Sequence, residues 1–185
     1  MKIVLASTSP RRHELLTKAG IDFEIIPSPA EEIYDASLGM AGLCEENARL
    51  KAAAVPLPDA VVIAADTLVF IDGEPIGKPK DMADAHQMIR RLSGRTHQVC
   101  TGVCIVVYGA EPILFHELSD VVFHELNDAQ ITEYLNLTNP LDKAGSYGIQ
   151  DFGDMVVKEI RGSFENVMGL PVEQVSNRLR EIAPF

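Results

Sequence analysis

Between Val61 and Ile71 the chain is apolar at every position except Asp66-Thr67. An unbroken apolar run of this kind reads as a buried strand, and a carboxylate inside it demands a reason. One reading is that Asp66 emerges where the strand ends, the place where α/β folds collect their ligands. There it could bind a metal or activate water. The bland alternative is a capping aspartate in a strand-end turn.

Around that strand the pattern alternates. Lys2–Ser7 reads as a buried opening strand. Ser9 stands as an N-cap with Pro10 at the first helical position and Gly20 as terminator, and Leu15, Leu16 and Ala19 form the apolar stripe. Phe23–Ile26 is a second short strand, followed by an acidic loop with Glu31, Glu32 and Asp35. A helix is predicted over Met40–Ala54, with Asn47 and Lys51 one turn apart on one face. Asp72-Gly73 is a turn signal, and Gly77-Lys78-Pro79-Lys80 a basic, irregular segment. Asp81 caps a helix to Leu92, closed by Ser93-Gly94.

Thr96–Tyr108 and Ile113–Phe123 read as antiparallel neighbours. Asn127 with Gln130 forms a capping box for a helix through Leu137. Asn139–Gln150 is rich in turn residues, Met155–Ile160 returns to strand, and Val172–Ile182 is a closing amphipathic helix. Helices and strands alternate early and hairpins dominate later. The expectation is an α/β fold, a mixed and bent sheet flanked by helices, with two lobes facing each other.

The composition limits the partners. The chain has 185 residues, room for one substantial domain or two small lobes sharing a cleft. Its 27 acids against 16 bases give a net charge of −11, a surface that repels a nucleic-acid polymer. A small anion can still bind where the few bases gather. Cys44, Cys100 and Cys104 form no CxxC pair and are odd in number, so they read as buried apolar residues in a reducing compartment. Met1–Ala6 is too short for a signal peptide's apolar region or a membrane span, which predicts a cytoplasmic protein without a membrane partner.

Four segments could carry chemistry. Ser7-Thr8-Ser9-Pro10-Arg11-Arg12 places a small polar turn between a strand and a helix, where backbone N–H groups and the helix dipole attract anions. Two arginines in the first turn have the wrong sign for that dipole, which is explained if an anion sits there in guanidinium contacts; otherwise they are solvated charges. Asp66-Thr67 is the second. Glu31-Glu32, Lys51 and Gly77-Lys78-Pro79-Lys80 supply the carboxylates and lysines that metal-assisted phosphoryl chemistry needs, although singly each suits a solvated surface. Asp142–Gln150 packs a charged pair, two glycines and an amide into nine positions, suiting close approach to a ligand or a long structural loop. There is no GxxxxGK[ST] loop, GxSxG elbow or HExxH motif, and the five scattered histidines receive no catalytic part.

Taken together, these segments resemble the Maf family of nucleotide pyrophosphatases. The resemblance runs through Ala6–Leu16 (ASTSPRRHELL), Glu31-Glu32, Ala64–Val69 (AADTLV), Gly77–Asp81 (GKPKD), Leu92–Val99 (LSGRTHQV), Asp142–Gln150 (DKAGSYGIQ) and Gly162–Pro171 (GSFENVMGLP). It implies one Maf-like domain over residues 1–185, a fold like the inosine-triphosphate pyrophosphatases with a deep cleft, and often a homodimer. It also implies a divalent metal, Mg²⁺ or Mn²⁺, and cleavage of a nucleoside triphosphate between the α- and β-phosphates. By motif position Asp66 matches the catalytic proton acceptor. Arg12, Thr67 and Gln150 match positions linked to substrate choice in the dTTP/UTP branch, and Ser7, Arg11, Glu32, Lys51 and Lys78 match other cleft residues. Glu32 and Asp66 are then the expected metal ligands. A 7-methyl-GTP branch resembles SPWR where this chain reads SPRR, and the family name comes from an effect on cell division, which keeps a nucleotide-binding regulator open. One departure stands out: the family commonly has Glu-Pro before DKAG, and this chain has Asn139-Pro140.

Overall fold

The computed structural model describes residues 1–182. Seven strands form one mixed sheet: β1 (Lys2–Leu5), β2 (Glu24–Ile25), β3 (Ala60–Ile71), β4 (Glu74–Ile76), β5 (Thr96–Val107), β6 (Ile113–Phe123) and β7 (Val157–Arg161). The order is β2-β1-β3-β5-β6-β7, with β4 paired to β3. β1 lies parallel to both β2 and β3, while β4 on β3 and β7 on β6 are antiparallel. The α/β expectation holds, with parallel pairing of β1 to its neighbours and antiparallel pairing in β3–β4 and β6–β7. The helices are α1 (Pro10–Lys18), α2 (Gly39–Ala53), α3 (Met82–Leu92), α4 (Asp128–Leu137), α5 (Phe164–Met168) and α6 (Val172–Ile182).

Local chemistry fixes several element ends as expected. Pro10 opens α1 after Ser9, and the Asp81 carboxylate accepts the Asp84 N–H at the start of α3. Asn127 and Gln130 form a reciprocal capping box on α4. Asp72 (φ 57°) and Gly73 (φ 81°) make the two-residue turn joining β3 to β4, a strand for which the sequence carries no expectation. The short helix α5 also went unanticipated. The Asn139–Gln150 segment contains two short 3₁₀ turns, Pro140–Asp142 and Ala144–Ser146, rather than open loop.

The chain clusters into two compact units. One comprises residues 1–67, 101–117 and 169–185; the other comprises 68–100 and 118–168. The first is built on Val4, Ala6, Val62, Ala64 and Cys104 under Ala48 and Ala52 of α2. Helix α2 meets β5 at Gly102, where an added Cβ would fall 2.2 Å from the Cys44 carbonyl carbon. Only glycine lets the helix backbone lie this close to the strand. The second unit packs Val69, Ile71, Ile89, Leu92, Val121, Phe123, Tyr134 and Tyr147 together. The three cysteines are buried, as expected, and burial pushes the Cys104 thiol up to about 11. No helix among the described residues is long and apolar enough to cross a membrane.

Candidate active site

Asp66 does not emerge at a strand end. It sits inside twelve-residue β3, with 2% of its surface exposed. The strand runs on because the carboxylate is fully partnered where it stands, so nothing obliges the chain to break there. Oδ1 accepts from Lys51 Nζ at 2.7 Å, and Oδ2 accepts from Asn47 Nδ2 at 2.9 Å. Asn47 and Lys51 come from the same face of α2, one turn apart. Asn47 is itself fixed: its Oδ1 accepts the Ile33 N–H at 2.8 Å and its Nδ2 also donates to the Ile33 carbonyl at 3.0 Å. One amide thus ties the acidic loop to the buried aspartate.

That loop delivers Glu32. Its Oε1 accepts from Lys51 Nζ at 2.7 Å, and its Oε2 accepts from the Tyr34 hydroxyl at 3.0 Å. Partial burial and the neighbouring Glu32 carboxylate raise the Tyr34 pKa well beyond the usual tyrosine range, so the phenol remains a donor. Lys51 therefore bridges two carboxylates, with its own side chain 14% exposed.

A second network surrounds Arg12, at the start of α1. Its Nε donates to the Gly169 carbonyl at 2.8 Å, Nη1 to Ser7 Oγ at 3.2 Å and Nη2 to Thr67 Oγ1 at 3.0 Å. Thr67 Oγ1 also lies 2.9 Å from Thr101 Oγ1 on β5. Ser7 is held at both ends, since its carbonyl takes a hydrogen bond from His13 Nε2 at 2.8 Å and its Oγ one from the Ser9 N–H at 3.2 Å. Burial is the main influence lowering the Arg12 pKa; Asp66 and Glu32 oppose it, while Arg11 adds to it. The two networks are thus in electrostatic contact. Successive strand residues face opposite sides of a sheet, so Asp66 is offered to α2 and Thr67 to the other side. The arginine expected to await an anion is already anchored by its own chain.

Of the expected residues, Glu32, Lys51 and Asp66 form the first network, and Ser7, Arg12 and Thr67 the second. Arg11 is half-buried beside Arg12. Lys78 and Gln150 are exposed and belong to the second unit. There the Gly145 N–H donates to the Gly77 carbonyl at 3.1 Å, joining the segments that carry them. Lys143, 4% exposed, anchors this loop by donating to the Asn139 carbonyl at 2.6 Å and Asp142 Oδ1 at 2.9 Å, with Asp151 Oδ2 3.2 Å away. The contact at the Asn139 position is main-chain, available to any residue there.

Asn47, Thr101, Gly169 and Tyr34 were not singled out as site residues. The Asn47/Lys51 spacing was the one usable signal. Gly169 acts through a backbone carbonyl, which no side chain advertises.

Glu32 and Asp66 fit a hard divalent cation. Each directs one oxygen at the same ammonium, so two hard donors already converge on one positive centre. Among the described residues no group of three or more His, Cys, Asp and Glu could hold a metal. Two carboxylates suit Mg²⁺, which completes its shell with water and substrate phosphate oxygens.

Comparison with solved structures defines the fold class first. The chain superposes on a HAM1 protein from Coxiella burnetii with a TM-score of 0.57 at 16% identity, covering 98% of this chain and 99% of that one. The Staphylococcus aureus Ham1 protein gives a TM-score of 0.53 at 17% identity, covering 96% and 100%. The fold is therefore that of the Ham1 proteins. The family model for Maf-like proteins matches residues 2–182, and the chain belongs to this family. Among its relatives, the dTTP/UTP pyrophosphatase of Akkermansia muciniphila is 48% identical over 178 residues, covering 94% of this chain and 92% of the relative. That of Aquifex aeolicus is 45% identical over 186 residues, covering 98% and 96%.

Proposed function

We propose that this protein hydrolyses dTTP and UTP to the monophosphate and pyrophosphate, with Mg²⁺ or Mn²⁺ held by Glu32 and Asp66. The observation that carries the reading is a buried aspartate converging with a glutamate on one cation, in electrostatic contact with an anchored arginine. Two relatives above 40% identity bear the name dTTP/UTP pyrophosphatase, which supports the choice of nucleotide.

Asp66 orients a water molecule in line with the α-phosphorus and accepts its proton as the P–O bond to the β-phosphate breaks. The metal, when bound, supplies Lewis-acid polarisation of the phosphate oxygens. Arg11, Arg12 and Lys51 offset the charge that grows on the departing pyrophosphate. Arg12 is rigid before substrate arrives, and its guanidinium has five N–H bonds, of which three serve Gly169, Ser7 and Thr67. Gln150 offers both a donor and an acceptor, which suits the edge of a uracil-type base.

The test is a panel of dTTP, UTP and 7-methyl-GTP with and without Mg²⁺ or Mn²⁺, with the products identified. Metal-dependent pyrophosphate release from dTTP and UTP is expected. Preference for 7-methyl-GTP, orthophosphate as the product, or tight nucleotide binding without turnover would each reject the proposal.

A further inference from the structure

The position of Lys51 carries a consequence for metal binding, and it rests on the metal requirement proposed above. Lys51 Nζ lies 2.7 Å from Glu32 Oε1 and 2.7 Å from Asp66 Oδ1. The remaining oxygen of each carboxylate takes a hydrogen bond from Tyr34 or Asn47. Glu32 Oε1 and Asp66 Oδ1 therefore share a single focus, and the ammonium stands in it. A cation bound by both carboxylates would sit at about 2.0–2.1 Å from its oxygens, inside the volume the ammonium fills. Two positive groups cannot share that point.

We propose that Lys51 is an internal place-holder cation. Without metal it holds the Glu32–Asp66 pair together and offsets their mutual repulsion. When a divalent ion binds, Lys51 swings out of the focus, and its ammonium becomes available to an anionic group bound beside the metal. The side chain has the means to do this. Lys51 stands in the last turn of α2 on a flexible four-carbon stem, whereas Asn47, one turn earlier, keeps the aspartate and the loop aligned by itself. The pair of carboxylates is thus preorganised for a cation, and the lysine competes for the position it guards.

The experiment measures Mn²⁺ binding by calorimetry without nucleotide, for the wild type and for Lys51→Met. With no ammonium to remove and two carboxylates left uncompensated, the variant should bind Mn²⁺ at least about tenfold more tightly. Equal or weaker binding by the variant, with the wild type binding normally, overturns the place-holder and leaves the metal reading intact. Binding by neither protein overturns both. In the wild type, NMR of ¹⁵N-labelled lysine ammonium groups supplies a readout that needs no variant. The Lys51 signal should shift when Mg²⁺ is added, and a signal unmoved at saturating Mg²⁺ refutes the displacement.

Discussion

Replacing Asp66 by asparagine removes one charge and almost no volume, yet the surroundings allow no comfortable amide. Its Oδ1 faces the Lys51 ammonium and its Oδ2 faces the Asn47 amide nitrogen, both of them donors. An asparagine must turn its own NH₂ toward one of them. Asn47 cannot rotate in response, because its oxygen and nitrogen are matched to the N–H and carbonyl of Ile33. A donor is therefore set against a donor in a site 2% exposed. An unmade buried hydrogen bond costs about 1–3 kcal/mol, and Lys51 keeps Glu32, so we take the loss as about 1–2 kcal/mol. For a domain of this size that corresponds to a melting temperature lower by about 2–8 °C. Turnover should fall further, by about 10²–10³ or more, if the carboxylate serves as proton acceptor and metal ligand as proposed. Pyrophosphate release from dTTP with Mg²⁺, alongside a thermal melt, reads both quantities. A folded variant turning over within a few-fold of wild type would refute the role given to Asp66.

Arg12→Lys replaces a three-pronged fork by a point donor that cannot span Gly169, Ser7 and Thr67. Each lost charged hydrogen bond is worth about 1.5–3 kcal/mol, so urea unfolding should show a clear loss, and an unchanged midpoint would contradict the anchoring. Gly102→Ala drives a Cβ to within 2.4 Å of the Cys44 carbonyl oxygen and the Glu45 nitrogen. Stability should drop by about 1–3 kcal/mol or more, and turnover with it as α2 carries Asn47 and Lys51 away from Asp66; a neutral result in both assays would sink this. His97, buried against Phe123 and Tyr147, has its pKa lowered from 6.5 to about 4 by burial. The unfolded chain then binds a proton that the folded one refuses, so stability is full above pH 6.5 and falls by up to about 1.4 kcal/mol per unit down to about pH 4. His97→Gln should flatten that part of the pH profile of urea unfolding, and an identical slope would count against it.

Much of the fold was legible because element ends are written in side chains. Pro10, Asp81, Asp72-Gly73 and the Asn127/Gln130 pair each act within four residues, and the structure uses each of them where the sequence places it, whereas Ser9 holds the N-cap position without a side-chain capping bond. Asp66 was found but misplaced. Periodicity marks an acid in an apolar strand as exceptional, but it cannot tell a strand end from a mid-strand residue supplied with partners by a helix. Thr101 was invisible for a related reason: a threonine in a strand is ordinary, and its meeting with Thr67 depends on the sheet order. The arginine pair was read as a charge waiting for an anion. For Arg12 the nearest acceptors turned out to include a main-chain oxygen far along the chain. Such groups have no residue type, so composition and spacing are silent about them.

The bond from Arg12 to the Gly169 carbonyl spans 157 positions of sequence. A chain growing on the ribosome cannot seat that guanidinium until the segment around Gly169 has been released as well. A nascent chain still lacking the Gly169 segment would therefore hold a loosely oriented arginine, fixed only once that distant stretch has folded back onto the first helix.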